Sequence, residues 1–315
     1  MARNLLIFDT DGGVDDAQAL VMLIANGVVP DAITTVFGNV GLDLATNNML
    51  ATLATLGVGV PLHKGADRPL AQPIIDAKYV HGEDGLGGAP RPARISVPAS
   101  SDAIGFLRTT FRTAALQGER ADILMIGPLT NLALALRLEP QILNGIGRLT
   151  VMGGTVYGRG NTTPAAEFNI FADPEAASIV LSAEIDTVIV PWEPCMSHFI
   201  TGAETDAIFA AAPPSLAKTF SESLARHART NNAGRGAGDV MRFVDPLAAA
   251  IVIDPSIVTK SLTASVGVAL APGMTRGMTV IDPSGRLGTP RLTLVEEADL
   301  ERVTHFYAVS AAYQS

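Results

Sequence analysis

Near-continuous apolar runs alternate with Ala/Leu-rich stretches of helical period along most of the chain. "NLLIFD" (4–9) precedes "DDAQALVMLIANG" (15–27), and the spacing predicts a strand, then a helix from about Asp15 to Asn26 with a Gly stop. The order repeats in "AITTVFGN" (32–39), "LDLATNNMLATLATLG" (42–57) and "VPLHKG" (60–65), read as strand, helix and strand. "ADILMIG" (121–127) then leads into "PLTNLALALRLEP" (128–140), a helix with Pro at its entry. "RLTVMGG" (148–154) and "DTVIVPW" (186–192) read as further strands, with the helix "DPEAASIVLSA" (173–183) between them. Runs that are apolar throughout belong to strands covered on both sides. The expected fold class is α/β: a single open, mostly parallel sheet with helices on both faces.

Two stretches break the pattern. Residues 71–100 and 227–240 are rich in Gly, Pro and polar side chains and are predicted to be long, mobile functional loops. "SVGVALAPGMTRGMTVIDPSG" (265–285) reads as a late β-rich excursion, a hairpin. Repeats, low-complexity tracts and linkers are not evident, so residues 1–315 are expected to form one domain.

Composition narrows the function classes. The chain is 48% hydrophobic and 17% charged, with 31 acidic against 22 basic side chains and a net charge of −9. No Lys/Arg-rich run supplies the footprint of a nucleic-acid partner. No stretch approaches the about 18 apolar residues of a membrane span. The apolar run of "MARNLLIFDTD" ends at Asp9, too short for a signal peptide. The lone Cys195, expected to be a packed thiol rather than a nucleophile, fits a reducing compartment. A soluble, cytoplasmic protein is the expectation.

The chemistry concentrates where the first strand hands over to the first helix. "DTDGGVDD" (9–16) holds Asp9, Asp11, Asp15 and Asp16. Capping a helix and complementing its dipole explains one or two of them, not four. In an α/β sheet this loop lies at a strand's carboxyl end, where ligands bind. Carboxylates crowded there need a cation, and an oxygen-only donor set points to Ca²⁺ or Mg²⁺. The spacing is not that of an EF-hand. "FDTDGG" (8–13) also resembles the opening loop of haloacid-dehalogenase phosphatases, in which Asp9 would attack phosphorus. That family wants Thr or Ser where Gly13 stands, and its later Lys and acidic motif find no good counterpart here.

Further segments decide between these readings. "TVFGNV" (35–40), "HGEDGLGG" (81–88), "IGPLTNLALAL" (126–136), "NTTPAAEFNIFADPEAA" (161–177) and "VDPLAAA" (244–250) follow the aspartate loop in this order. Together they closely resemble the inosine–uridine type of nucleoside hydrolase over nearly the whole chain. The resemblance implies Ca²⁺ held by Asp11, Asp16, the carbonyl of Ile126 and Asp245, with Asp11 also the general base that activates water. It implies ribose contacts from Asp15, Asn39, Asn161, Glu167, Asn169 and the Met152 region, and a homodimer or homotetramer. An extended "AEFN" (166–169) would aim Glu167 and Asn169 to one side. The chemistry suits these residue types, because an oxocarbenium-like ribose needs nearby negative charge and a positioned water.

The base-binding half departs from the family. Many relatives place a histidine before the last metal aspartate to protonate the leaving base, whereas this chain has Val244. His227, Arg229 and Arg235 are the candidate donors from the 227–240 stretch, and His81 and Phe168 are further base-side candidates. "VPWEPCMSHF" (190–199) is also atypical, leaving Trp192 as a core anchor or a stacking platform. The expected activity is a calcium-dependent ribonucleoside N-glycosidase. The alternative is an altered relative that acts on a modified nucleoside or only binds ribosides.

Overall fold

The computed structural model describes residues 4–314. It opens with β1 (Leu5–Thr10), α1 (Val14–Ala25), β2 (Ala32–Thr35), α2 (Leu42–Leu56) and β3 (Leu62–Lys64). The short α3 (Lys78–His81), α4 (Ala103–Gln117), β4 (Ala121–Met125) and α5 (Thr130–Leu138) follow. β5 (Ile146–Met152) leads to α6 (Phe168–Ala172) and α7 (Pro174–Leu181), and β6 (Asp186–Val190) to α8 (Trp192–Ser197). A two-stranded ribbon of β7 (Phe199–Thr201) and β8 (Val240–Arg242) brackets α9 (Gly202–Ala211) and α10 (Leu216–Gly234). The chain closes with α11 (Asp245–Ile253), β9 (Val258–Val268), β10 (Thr279–Asp282), β11 (Arg291–Ala298) and α12 (Leu300–Ala311).

Among the described residues, nine strands form one sheet in the order β10-β9-β11-β6-β5-β4-β1-β2-β3. Every pairing from β11 to β3 is parallel, and β9 pairs antiparallel with both β10 and β11. The α/β class expected from the apolar runs is the one found, and the 265–285 excursion is the β9–β10 hairpin. Alternation along each strand feeds two cores. Leu6 and Phe8 pack with α1, α10, α11 and α12 on one face, while Ile7 packs with α4, α5 and α7 on the other. Phe8 is fully buried, and burying one such side chain contributes about 1.5–3 kcal/mol.

The two stretches expected to be mobile loops are not free. Residues 227–234 complete α10, whose apolar residues Phe220, Leu224 and Ala225 are buried upstream. Tertiary contacts hold this polar end: Arg229 pairs with Asp206 and Asp239, and Asn232 Nδ2 donates to the Val240 carbonyl at 3.0 Å. Within 71–100, α3 is the one helix, and its Val80 carbonyl accepts from His227 Nε2 at 2.8 Å. Asn48 Nδ2 of α2 donates to the Asp84 carbonyl at 3.0 Å, tying down the Gly-rich turn that follows. No helix among the described residues is long and apolar enough to cross a membrane.

Candidate active site

The connections from β1 and β4 leave in opposite directions across the sheet, and that switch opens a crevice at their carboxyl ends. The two ends are joined by the Ile126 N–H, which donates to the Asp9 carbonyl at 3.0 Å. Gly12, with φ of 72°, presses so close to α2 that a Cβ would lie 2.4 Å from Ala45 Cα. Asp16, in the first turn of α1, gathers the loop. Its carboxylate accepts from the Thr10 hydroxyl, from the N–H groups of Asp11 (3.1 Å), Gly12 (3.2 Å) and Gly13 (2.8 Å), and from Asn39 Nδ2 (2.9 Å). Asn39 also holds Asp11, donating Nδ2 to Oδ1 at 2.9 Å and its backbone N–H to Oδ2 at 2.7 Å. A Cβ on Gly38 would lie 2.0 Å from that Oδ2, so this approach needs glycine.

The four aspartates therefore divide. Asp9 turns to the other face of the sheet, where Oδ2 accepts from Thr34 Oγ1 at 2.5 Å and Asn131 Nδ2 at 2.8 Å. It is fully buried and does not border the pocket, so the phosphatase reading fails: strand alternation has aimed its nucleophile away. Asp11 and Asp16 lie buried beneath the pocket, and Asp15 and Asp245 stand on its wall. One carboxylate oxygen each from Asp15, Asp16 and Asp245 lies within 4.8 Å of the others. Asp11 is outside that triad, its oxygens facing Asn39.

This cluster carries more negative charge than the protein around it answers. Burial, followed by the charge of Asp16, pushes Asp11 well above the usual carboxylate range. Burial and then Asp15, Asp16 and Asp11 do the same to Asp245. Burial raises Asp15 to about 6 and Glu167 to about 7. The nearest base is His81, whose Nδ1 lies 3.5 Å from Asp15 Oδ1 and accepts the Val14 N–H at 3.1 Å. An accepting Nδ1 assigns the proton to Nε2, and burial lowers the ring to about 4, so His81 is neutral and no ion-pair partner. Oδ1 of Asp15 is buried without a hydrogen bond. Oxygen-only donors, surplus charge and an orphaned carboxylate oxygen fit a hard divalent cation.

The next wall comes from the loop after β5. Glu167 is not part of an extended run, as the sequence suggested, but caps α6. Its oxygens accept the N–H groups of Gly154 (2.9 Å), Asn169 (2.9 Å) and Ile170 (3.2 Å). Asn169 sits in the helix so capped, and its Nδ2 donates to the carbonyls of Ile126 (3.0 Å) and Met152 (3.1 Å). Asn161 Oδ1 accepts the Phe168 N–H at 2.8 Å. Local capping thus brings Asn161, Glu167 and Asn169 to one pocket with Asp15, Asn39, Ile126, Met152 and Asp245.

Phe168, Trp192, His227, Arg235 and Val244 line the rest of the pocket, and His81 lines it beside Asp15. Trp192 packs against the core and also borders the pocket. The proposed proton donors fare less well. His227 spends its Nε2 proton on the Val80 carbonyl, and exposed Arg235 lies over the Tyr79 ring at 4.9 Å. Arg229 does not border the pocket, being held by Asp206 and Asp239. Cys195 is buried, and burial among carboxylates pushes its thiol well above the ordinary range, as suits a packed residue. Gln18, Tyr79, Asn231, Asn232 and Arg242 also line the pocket and went unrecognised in the sequence. Only Gln18 carried a signal, lying three residues beyond Asp15 on the same face of α1.

Comparison with known proteins agrees with this geometry. Residues 6–305 match the family model described as inosine-uridine preferring nucleoside hydrolase. The chain is 37% identical over 296 residues to the non-specific ribonucleoside hydrolase RihC of Klebsiella pneumoniae, covering 93% of each. It is 38% identical over 288 residues to that of Salmonella agona, covering 90% of each. Among solved structures it resembles the plant nucleoside hydrolase PpNRh1 (TM-score 0.88, 28% identity, 98% of each chain). An inosine-guanosine nucleoside hydrolase superposes equally well (TM-score 0.88, 28% identity, 99% of this chain and 100% of that one). A parallel sheet with an acidic crevice at its switch point, matched over its length in sequence and in fold, places this chain in the inosine-uridine preferring nucleoside hydrolase family, as a glycosyl hydrolase.

Proposed function

We propose that the protein hydrolyses ribonucleosides to ribose and free base in a calcium-dependent reaction. The observation that carries this reading is the convergence of Asp15 and Asp245, on one wall of a pocket, with Asp16 buried behind them, the pocket's adjoining wall being Glu167 and Asn169. Asp11, Asp16, Asp245 and the Ile126 carbonyl are assigned to the ion. When bound, Ca²⁺ supplies Lewis acidity to a water and a common anchor for water and sugar hydroxyls.

The chain's own groups do the rest. Asp11, its carboxylate oriented by Asn39, takes a proton from the attacking water as general base, a role worth about 10²–10⁴-fold. Asp15, Asn39, Asn161, Glu167 and Asn169 hold the ribose hydroxyls, with Met152 packed beside them. Glu167 is itself pinned by three backbone N–H groups, so its orientation costs little at the moment of reaction. Its negative charge also favours the oxocarbenium-like ribose.

Val244 supports a second reading, a protein that acts on a modified nucleoside or only binds ribosides. The test is release of reducing sugar from inosine, adenosine, guanosine, uridine and cytidine, with and without EDTA. Release that chelation abolishes is the expected result. No release from any nucleoside, with stoichiometric calcium on metal analysis, would favour the second reading.

A further inference from the structure

The pocket has a positive end that the ribose-and-metal chemistry does not use. β8 is short, but its alternation is plain. Met241 and Phe243 are buried in the core, whereas Arg242 and Val244 are half-buried and face the pocket. Arg242 therefore stands one alternate position from the valine that replaces the expected proton donor. Its Nε is buried without a hydrogen-bond partner, and no carboxylate pairs with it among the described residues. A buried Nε–H left unpaired is costly, and burial lowers the pKa of the guanidinium with no acidic neighbour to oppose the shift. Such a donor is explained by an anion or acceptor that arrives with the ligand. The other basic side chains at this end are committed elsewhere, His227 to the Val80 carbonyl and Arg235 to the Tyr79 ring.

We propose that Arg242 is the leaving-group residue of this enzyme, stabilising the departing base as an anion by charge and hydrogen bonding instead of protonating it. This rests on the hydrolase reading above. In the step, the C1′–N bond breaks and its electron pair stays on the base nitrogen. Water forms the new C1′–O bond and loses its proton to Asp11. The base leaves as an anion paired with the guanidinium and is protonated later by solvent. Arginine stays charged throughout, so it supplies a fixed field where charge develops.

The test compares uridine with 4-nitrophenyl β-D-ribofuranoside, whose leaving group is a stable anion needing little help. Arg242→Gln is expected to lower kcat on uridine by about 10²-fold, with KM nearly unchanged and the nitrophenyl substrate losing less than about tenfold. Arg242→Lys, which keeps the charge, should recover part of the uridine loss. Calorimetric binding of free ribose should be the same in all three proteins. Equal losses on both substrates would make Arg242 a merely structural residue and overturn the proposal. So would a uridine kcat within about threefold of wild type in Arg242→Gln. Wild-type enzyme that releases ribose from neither substrate would instead overturn the hydrolase reading, before any variant is compared.

Discussion

The two ends of the pocket differ in how they are built. At the carboxylate end three of the charged groups are oriented by several donors, while Asp15 Oδ1 is left without one. Asp16 takes five, Glu167 three, and Asp11 is clasped by both donors of Asn39. At the base end His227 and Asn232 are tied to backbone carbonyls, but other polar groups are turned outward or unpaired. Arg235 lies on Tyr79, while Gln18 Oε1 and Arg242 Nε are buried without partners. A site that must hold one sugar and one ion repays rigid orientation. A site that accepts different bases is better served by groups that wait for their partner, as in a pocket that reads shape and charge rather than one hydrogen-bond pattern.

The largest expected effect breaks the rigid end. Asp11→Ala should lower kcat by up to about 10⁴-fold while the far-ultraviolet circular dichroism spectrum stays native. Near-normal ribose release from this variant would remove Asp11 from the role of base.

The next change alters the base end. If a proton donor is all that inosine lacks, Val244→His should raise kcat on inosine by about 10²-fold. The gain should be smaller on the nitrophenyl riboside. No gain would mean that Arg242 already does the work of the acid, or that the imidazole cannot reach the base.

Metal removal tests the charge argument through stability. Asp9 and Glu167 are raised to about 7 and Asp15 to about 6, each by burial. A carboxyl whose folded pKa lies above its unfolded value binds more protons when folded, so its contribution is complete below about 4 and lost as pH rises through the folded pKa. The chelated protein should therefore melt at a lower temperature at pH 8 than at pH 5. Ca²⁺ at 100 times its pH 5 Kd should add about 2.7 kcal/mol, or about 5 °C in Tm, at pH 5, and the same concentration should add more at pH 8. Differential scanning fluorimetry at the two pH values reads both effects. A calcium shift larger at pH 5 than at pH 8 would refute this account.

What was legible in the sequence follows the same division. Strands such as "LLIFDT" (5–10) are apolar because both faces are covered, and that signal survives without the structure. The acids and amides of the carboxylate end lie in the loops and first helical turns that follow those strands, so order along the chain already placed them. The base end was less legible because tertiary contacts build it. "HARTNNAG" (227–234) is polar, with Asn and Gly poor at holding a helix alone, and it is helical because Arg229 and Asn232 are tied to residues elsewhere. Arg242 could not be read off either, because a three-residue strand is too short to show its alternation. Glu167 and Asn169 were expected on an extended run, and the capping of α6 by Glu167 was the local rule that prevailed.

The smallest expected effect concerns the aspartate that lies nearest the cluster in sequence yet outside it in space. Asp9 shares the loop's composition, but its Oδ2 already accepts from Thr34 and Asn131 behind the sheet. Its Oδ1 is buried without a partner. Asp9→Asn keeps an acceptor for those two donors, removes a carboxyl that burial has raised to about 7, and costs about 1–3 kcal/mol through an amide buried without an acceptor. Ribose release should stay within about threefold of wild type, since no reacting atom is touched. A loss as large as that of Asp11→Ala would mean that the charge of Asp9 acts on the pocket through Asn131 and the end of β1. The boundary between structural and reacting carboxylates would then lie within β1, before Asp9.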